Sequence, residues 1–399
     1  MAGPLDGVRV IDCTSVALGP WAAMQLGDFG AEVIKVEPPG GDTTRYLGPS
    51  RNPKMGSFFM GCNRNKRSIV LDLKQSAARD ALYALLKNAD VLMHNLRPEP
   101  AKRLGLAYSK VALHNPEIIC AAAYGYRADG PMGSNPAYDD IIQAACGLAD
   151  LQTIVAGEPR YLPTMVADKT TSMALLSAIL AALFEKERSG MGQEIEIPMY
   201  ESMVANIMVE HLYGETLRPP SGELGYTRLI NSQRRPYKTK DGYIALLPYT
   251  DRNWRDFFTA IGREELGHDE RFTNIANRLS NIEDYYALIA EIAAERTNQE
   301  WLDLLAGTTV PHGRVNNLED LLSDDQLLST GFWRELEHPS EGAIRSPDIP
   351  QRFSRTPGSI RHLQPRLGEH SFEILKEAGF SDNDIKQLES SGATSCGDV

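Results

Sequence analysis

Residues 7–37 limit the fold more than any other stretch of this chain. "GVRVIDC" (7–13) alternates like a strand, "PWAAMQLGDFG" (20–30) has helical spacing closed by glycine, and "AEVIKVE" (31–37) is strand-like again. Two strands joined through a helix must run parallel, and a parallel sheet needs helices on its faces.

The alternation continues. "RSIVLDL" (67–73), "DVLMHN" (90–95) and "EIICAAA" (117–123) read as strands around a helix at 76–89. This predicts an α/β fold with an open, doubly wound, Rossmann-like sheet. After a Gly- and Pro-rich loop (124–137), "YDDIIQAACGLADL" reads as one helix. "KTTSMALLSAILAALFEKERSG" (169–190) is a second helix, stopped at Gly190, and "QEIEIPM" (193–199) is another strand. Composition changes at 214–236, a polar stretch with Pro219 and Pro220 in tandem. "YKTKDGYIALLP" (237–248) then signals a hairpin turning at Asp241–Gly242, with helices around 251–261, 281–296 and 298–306. The expected organisation is a large domain over 1–213, a linker over 214–236 and a small α+β domain over 237–325, with two helices in the tail.

Composition excludes several functions. A formal net charge of -12 argues against nucleic acid as the main partner, since phosphate backbones are met by a basic excess. Five cysteines without a CxxC read as free thiols of a reducing compartment, and eight histidines without HxxxH or HxH give no metal site. No uninterrupted apolar run reaches the roughly 18 residues that span a bilayer, and the first residues carry no signal-peptide pattern, so no membrane partner and a cytoplasmic location are expected.

The loop after the first strand, "TSVALGPW", lacks GxGxxG, so NAD is not expected as a cofactor. Gly40–Gly41 follows the second strand and reads as a turn. GxSxG and the phosphate-binding GxxxxGK[ST] are absent too. Two basic clusters stand out in the acidic chain: Arg97, Lys102 and Arg103 in "NLRPEPAKRLG", and Arg64, Lys66 and Arg67 in "NRNKRS". Each is a candidate holder of a phosphorylated ligand or a solvated charged loop. In "PTMVADKTTSM", Asp168 precedes the long apolar helix. It reads as an N-cap whose ionised form the helix dipole favours, and such a carboxylate can also act as a nucleophile on an acyl carbon.

Taken together, "GPLDGVRVIDCTSVALGPWAAMQLGDFGAEVIKVEPPGGD", "NRNKRSIVLDLK", "NLRPEPAKRLG", "YDDIIQAACGL", "ADKTTSMALLSAILAALFEKERSGMGQEIEIPMYESM" and "PRLGEHSFEILKEAGFSDNDIKQL" resemble the family III CoA-transferases. This group includes formyl-CoA and carnitine CoA-transferases and the α-methylacyl-CoA racemases. The resemblance runs over nearly the whole chain and is weakest from about 214 to 335. It implies a large domain built from both chain ends, with 326–399 returning to it, and an interlocked homodimer. It also implies acyl-CoA and a small carboxylic acid as substrates, and coenzyme A as co-substrate without metal. It implies that Asp168 attacks the thioester to form an aspartyl anhydride, then an aspartyl-CoA thioester. The family's CoA contacts fall on Val16, Ala17, Leu71, Asn95, Leu96 and Arg103. Arg97, in the same loop, joins them on charge alone.

The chain departs from the family in three places. Where some members carry a basic residue after "KVE", this chain has Pro38, so Lys66 or Arg67 is expected to supply that contact. "LINSQRRPY" (229–237) replaces a glycine run, and Arg234 or Arg235 is a candidate for the acceptor's carboxylate or a linker charge. Tyr138, in "AYDDI", stands where the racemases carry a histidine base. Tyrosine ordinarily titrates at about 10 and is a poor base near neutrality. Tyr138 is instead expected to donate a hydrogen bond near Asp168, with Asp139 or Asp140 orienting groups nearby. A racemase and a non-catalytic acyl-CoA binder remain alternatives. A small dicarboxylate such as succinate is a candidate donor acid.

Overall fold

The computed structural model describes residues 3–397. Its sheet has seven strands: β1 (Arg9–Cys13), β2 (Glu32–Glu37), β3 (Lys66–Leu71), β4 (Val91–His94), β5 (Ile119–Tyr124), β6 (Glu194–Pro198) and β12 (Thr394–Ser395). Their order is β12-β3-β2-β1-β4-β5-β6, with β1 to β6 parallel and only β12 antiparallel. A separate antiparallel hairpin pairs β10 (Trp333–His338) with β11 (Gly342–Pro347). The order reverses direction between β1 and β4. In open α/β sheets, ligands bind beyond the carboxyl ends of the strands at such a reversal.

The inner strands are less alternating than their sequences suggest. β4 is buried at every residue and β5 at all but its last, because helices cover both faces. On one face, Leu82, Leu85 and Leu86 of the helix Ser76–Leu86 join Ile374, Leu375, Ile385 and Leu388 of the tail helices Ser371–Glu377 and Asp382–Ser390. On the other face, the helices Leu18–Asp28 and Val166–Ser189 pack on each other, and the longer one also packs on β5 and β6. The chain separates into two units. One holds Met1–Gly147, Tyr161–Asn206 and Ser329–Val399, and the other Leu148–Arg160 and Ile207–Leu328.

The expected helix at 138–151 is broken. It runs as Asp139–Ala145 and Leu148–Leu151, interrupted at Gly147, whose φ of 89° is left-handed. The second unit has its own sheet, in which β8 (Tyr243–Leu246) lies between β7 (Tyr237–Lys238) and β9 (His312–Arg314). Its turn falls at Asp241–Gly242, where Thr239 N–H donates to Gly242 O at 3.0 Å. Trp254, Phe257, Phe258, Phe272 and Trp301 fill its core.

Candidate active site

Asp168 sits in the first turn of the helix Val166–Ser189, as its third residue, and Met165 occupies the cap position. The expected N-cap role is therefore corrected: the helix begins two residues before the acid. The backbone N–H of Asp168 donates to Asp139 Oδ1 at 3.0 Å, so another acid satisfies this orphan donor. Asp139 is buried and its second oxygen accepts from Gln143 Nε2 at 2.6 Å. Gln143 Oε1 in turn accepts from Leu162 N–H at 2.9 Å, tying the segment before the long helix to the helix Asp139–Ala145.

This arrangement also corrects the expected ionisation. Burial, followed by the charge of Asp139, pushes the Asp168 carboxyl up to about 6, because both disfavour the carboxylate. The Asp168 side chain makes no hydrogen bond to another described residue, so both oxygens are available to a ligand.

At the carboxyl ends of β1 and β4, two loops are tied together. Asn95 Oδ1 accepts from Ser15 N–H at 3.0 Å, and its Nδ2 donates to Ser15 O at 2.8 Å. Both polar ends of Asn95 are thus used to place the 14–17 loop. Val16 adopts a φ of 70°, unfavourable for a β-branched residue. Its N–H reaches both oxygens of Asp42 at 3.3 Å, and Lys35 Nζ bridges Asp42 Oδ2 and Thr14 O at 3.0 Å each. Ala17 is buried at the start of the helix Leu18–Asp28.

Beside this loop lies a cavity of ≈250 Å³ with Leu71, Leu96, Leu104 and Leu106 on its walls and Pro38 and Lys74 among its lining. It is mostly apolar and opens beyond β1, β2 and β3, so it suits a flat, largely apolar group. Gly41 makes the expected turn there, with φ 76° and its N–H on Pro38 O at 2.7 Å. Arg103 ends the helix Pro98–Arg103 and is exposed. Arg97 is exposed too and donates to Ser134 O at 2.8 Å.

The second basic cluster is committed to ion pairs. Lys66 Nζ is buried against Asp12 Oδ2 (2.9 Å), Pro20 O and Asn63 Oδ1 (2.8 Å each). Arg64 pairs with Asp28 at 2.8 Å, and Arg67 pairs with Glu32 and Glu377. Neither Lys66 nor Arg67 can supply the contact missing at Pro38. Lys74, which the sequence reading passed over, is an exposed cation lining the cavity.

Tyr138 caps the helix Asp139–Ala145 by position, is 68% exposed, and its hydroxyl bonds to no other described residue. Asp140 is exposed, and only Asp139 of this trio meets Asp168. Arg234 and Arg235 belong to the second unit, ahead of β7, where both are exposed and Arg235 Nη2 donates to Gln233 Oε1 at 3.3 Å. A larger cavity of ≈640 Å³, lined by Trp21, Met60, Met173, Phe332 and Ile344, lies on the first unit. Asp168 is not on its walls, and its one acid–base pair, Asp28 with Arg64, is closed on itself. Among the described residues, no group of three or more His, Cys, Asp or Glu side chains is placed to hold a metal ion.

Comparison with known proteins agrees with this architecture. The human succinyl-CoA:glutarate CoA-transferase is 32% identical over 394 residues, covering 98% of this chain and 89% of that protein. The succinyl-CoA–L-malate CoA-transferase beta subunit of Chloroflexus aurantiacus is 31% identical, covering 97% of each. The crystal structure of a CAIB/BAIF family protein from Brucella suis superposes with a TM-score of 0.78 at 28% identity, covering 95% of this chain and all of that one. The profile of CoA-transferase family III matches residues 5–371, and the chain belongs to that family.

Proposed function

We propose that this enzyme moves CoA from a dicarboxylic acyl-CoA to a free carboxylic acid through covalent intermediates on Asp168. The observation that carries the reading is the state of that residue. It is a half-buried carboxyl, free of side-chain hydrogen bonds, and held in place through its own backbone by Asp139. A carboxyl raised to about 6 is still mostly ionised at neutral pH, and it is more basic than an ordinary aspartate.

The steps balance as follows. An Asp168 oxygen bonds to the thioester carbonyl carbon, the C–S bond breaks, and CoA leaves as the thiolate. The thiolate attacks Cγ of Asp168, breaking the anhydride and releasing the donor acid. The acceptor carboxylate attacks the aspartyl thioester and expels the thiolate again. A last thiolate attack on the acceptor's carbonyl yields its CoA ester and restores Asp168. One carboxylate thus conserves the thioester's energy without ATP.

The Leu71–Leu96 cavity is assigned to the adenosine end of CoA, with Lys74 on its wall as one phosphate cation and Arg103, exposed at the end of the helix Pro98–Arg103, as another. Val16 and Ala17 present backbone to the pantetheine arm, and Asn95 keeps their loop in register. Arg97 adds positive charge. The succinyl-CoA specificity in the names of the two relatives supports a dicarboxylic donor. A homodimer in a reducing compartment completes the reading. The free thiols of the five cysteines support the compartment.

The test is chemical. Incubation with succinyl-CoA followed by hydroxylamine is expected to leave a hydroxamate on the peptide holding Asp168. Asp168→Ala is expected to lose that label and at least 10³-fold in turnover while still binding CoA. An unlabelled wild-type peptide, or turnover retained by the variant, overturns the mechanism. Exchange of the α-hydrogen with deuterated water would instead point to a racemase.

A further inference from the structure

Two acids, Asp139 and Asp168, meet at the start of the long helix, and neighbouring like charges resist ionising together. Their surroundings differ, and Gln143 makes the difference. It is 1% exposed and lies one turn along the helix Asp139–Ala145 from Asp139. Its Oε1 accepts from Leu162 N–H at 2.9 Å, and its Nε2 lies 3.4 Å from Thr164 O. A backbone N–H can only donate and a carbonyl oxygen can only accept, so these two groups fix which way the amide points. The end that meets Asp139 Oδ2, at 2.6 Å, is therefore the N–H end. All five residues belong to the first unit.

Both oxygens of Asp139 thus face N–H donors, Gln143 Nε2 on one and the backbone of Asp168 on the other. Such donors favour a carboxylate over a carboxylic acid. Asp168 has the opposite surroundings, half-buried and with no donor from another described residue on its side chain. The other ionisable groups on the elements packed against its helix are Asp28, closed on Arg64, exposed Asp140, Cys120 and Tyr124 of β5, and Glu194 and Glu196 of β6. The charge of Asp168 also reaches the Cys62 thiol. Burial and Asp139 are the two influences that raise the Asp168 carboxyl.

We propose that Gln143 is a positioning residue for the transfer: it pins Asp139 as the charged member of the pair, and that fixed charge favours the acylated forms of Asp168 over its bare carboxylate. The bare carboxylate meets Asp139 as a like charge. The anhydride and the thioester formed on the same carbon are neutral at that position and do not. Gln143 therefore acts through Asp139, and its effect is largest on the steps that consume or restore the free carboxylate. This rests on the proposed covalent exchange at Asp168.

The experiment compares the full-length wild type with Gln143→Met and Gln143→Glu. Methionine keeps the length of the side chain and loses both hydrogen bonds. Glutamic acid sharing one proton with Asp139 still accepts from Leu162 N–H, still donates to Asp139, and leaves one negative charge between them. In kcat/KM for succinyl-CoA, the acid limb is expected to move down by about one pH unit or less in Gln143→Met, since burial is the larger cause and persists. In Gln143→Glu it is expected to stay within about 0.3 pH unit of wild type. Above the limb, the share of Asp168 trapped by hydroxylamine is expected to fall about three- to tenfold in Gln143→Met and to return to within about twofold in Gln143→Glu. A limb that Gln143→Met leaves in place, or equal losses in both variants, overturns the proposal. Should Gln143→Met fail to fold, Gln143→Asn, one methylene shorter, takes its place with the same expected direction. Infrared spectra of enzyme labelled with carbon-13 aspartate, taken against Asp168→Ala, read the ionisation of Asp168 without substrate. A titration that moves down with Gln143→Met supports the proposal, and one that does not move overturns it. A wild type that forms no hydroxamate while this titration still moves would refute the exchange at Asp168 and leave the hold of Gln143 on the charge standing.

Discussion

At the scale of single residues, the proposed nucleophile has a neighbour that makes it harder to ionise. Asp139 orients Asp168 through a backbone hydrogen bond and raises its pKa through charge. The activity that needs the carboxylate is expected to fall as pH drops through about 6. In Asp139→Asn, the side-chain oxygen can still accept from Asp168 N–H, but the charge is gone. The acid limb of kcat/KM for the acyl-CoA is expected to move to lower pH, yet not to the ordinary aspartate range, because burial is the larger cause and persists. Above the limb, kcat is expected to fall by less than about tenfold, the cost of one disturbed hydrogen bond to Gln143. A limb that stays in place, measured from pH 4.5 to 8, would show that Asp139 only positions the helix. Asp168 itself was singled out in the sequence because it lies in a distinctive run. The hydrogen bonds of Asn95 and Gln143 were not legible, because each depends on which partners the fold brings. Arg67 shows this most plainly: its acids, Glu32 and Glu377, lie 35 and 310 positions away.

At the scale of elements, the strands and helices were largely readable from their apolar patterns and stops. Gly190, for example, ends the long helix at φ 72°, its N–H returning to Lys186 O. The start of that helix was misread because Asp168 resembles a cap, whereas the satisfied donor belongs to Asp168 and the acceptor comes from another helix. The break at Gly147 was hidden by flanking residues that fit a helix equally well. Beneath the functional loop, β1, β2 and β3 carry a buried charge network. Burial alone would raise the Asp12 carboxyl, but Lys66 and Lys35 outweigh it and hold it below the usual range. The sign follows. An acid whose folded pKa is depressed stabilises the fold above its unfolded value and loses that stability as pH falls through the folded one. Lys66→Met removes the direct partner and leaves Asp12 with Lys35 and Thr14, so the fold is expected to lose on the order of 3–5 kcal/mol. The loss is expected to shrink in acid, where Asp12 can be protonated. Thermal melts at pH 7 and pH 4 check both parts, and an equal loss at the two pH values would mean that packing, not charge, dominates.

At the scale of the whole molecule, the helix Val166–Ser189 poses the remaining question. Its mean hydropathy of 1.4 over an 18-residue window and its length are sufficient to cross a membrane, although the sequence had suggested no such run. Only 39% of that window is buried. Met173 and Phe184 are exposed on it, and Met191 is exposed just beyond its end. The face that packs on the helix Leu18–Asp28, β5 and β6 belongs to the core, and Asp168 stands at its start, an expensive place for a carboxylate in hydrocarbon. Exposed large apolar side chains on a core helix mark an association surface. A second copy of the chain is the cover we propose for it. Light scattering in buffer without detergent is therefore expected to give about twice the 44.0 kDa of one chain. Phe184→Asp puts a charge on this surface at little cost to the monomer, where the side chain is 67% exposed. It is expected to weaken the dimer by about tenfold or more while preserving the far-ultraviolet circular dichroism. A wild type that scatters as a single chain, or that needs lipid to stay dispersed, would remove the second copy and leave the membrane as the cover for that face.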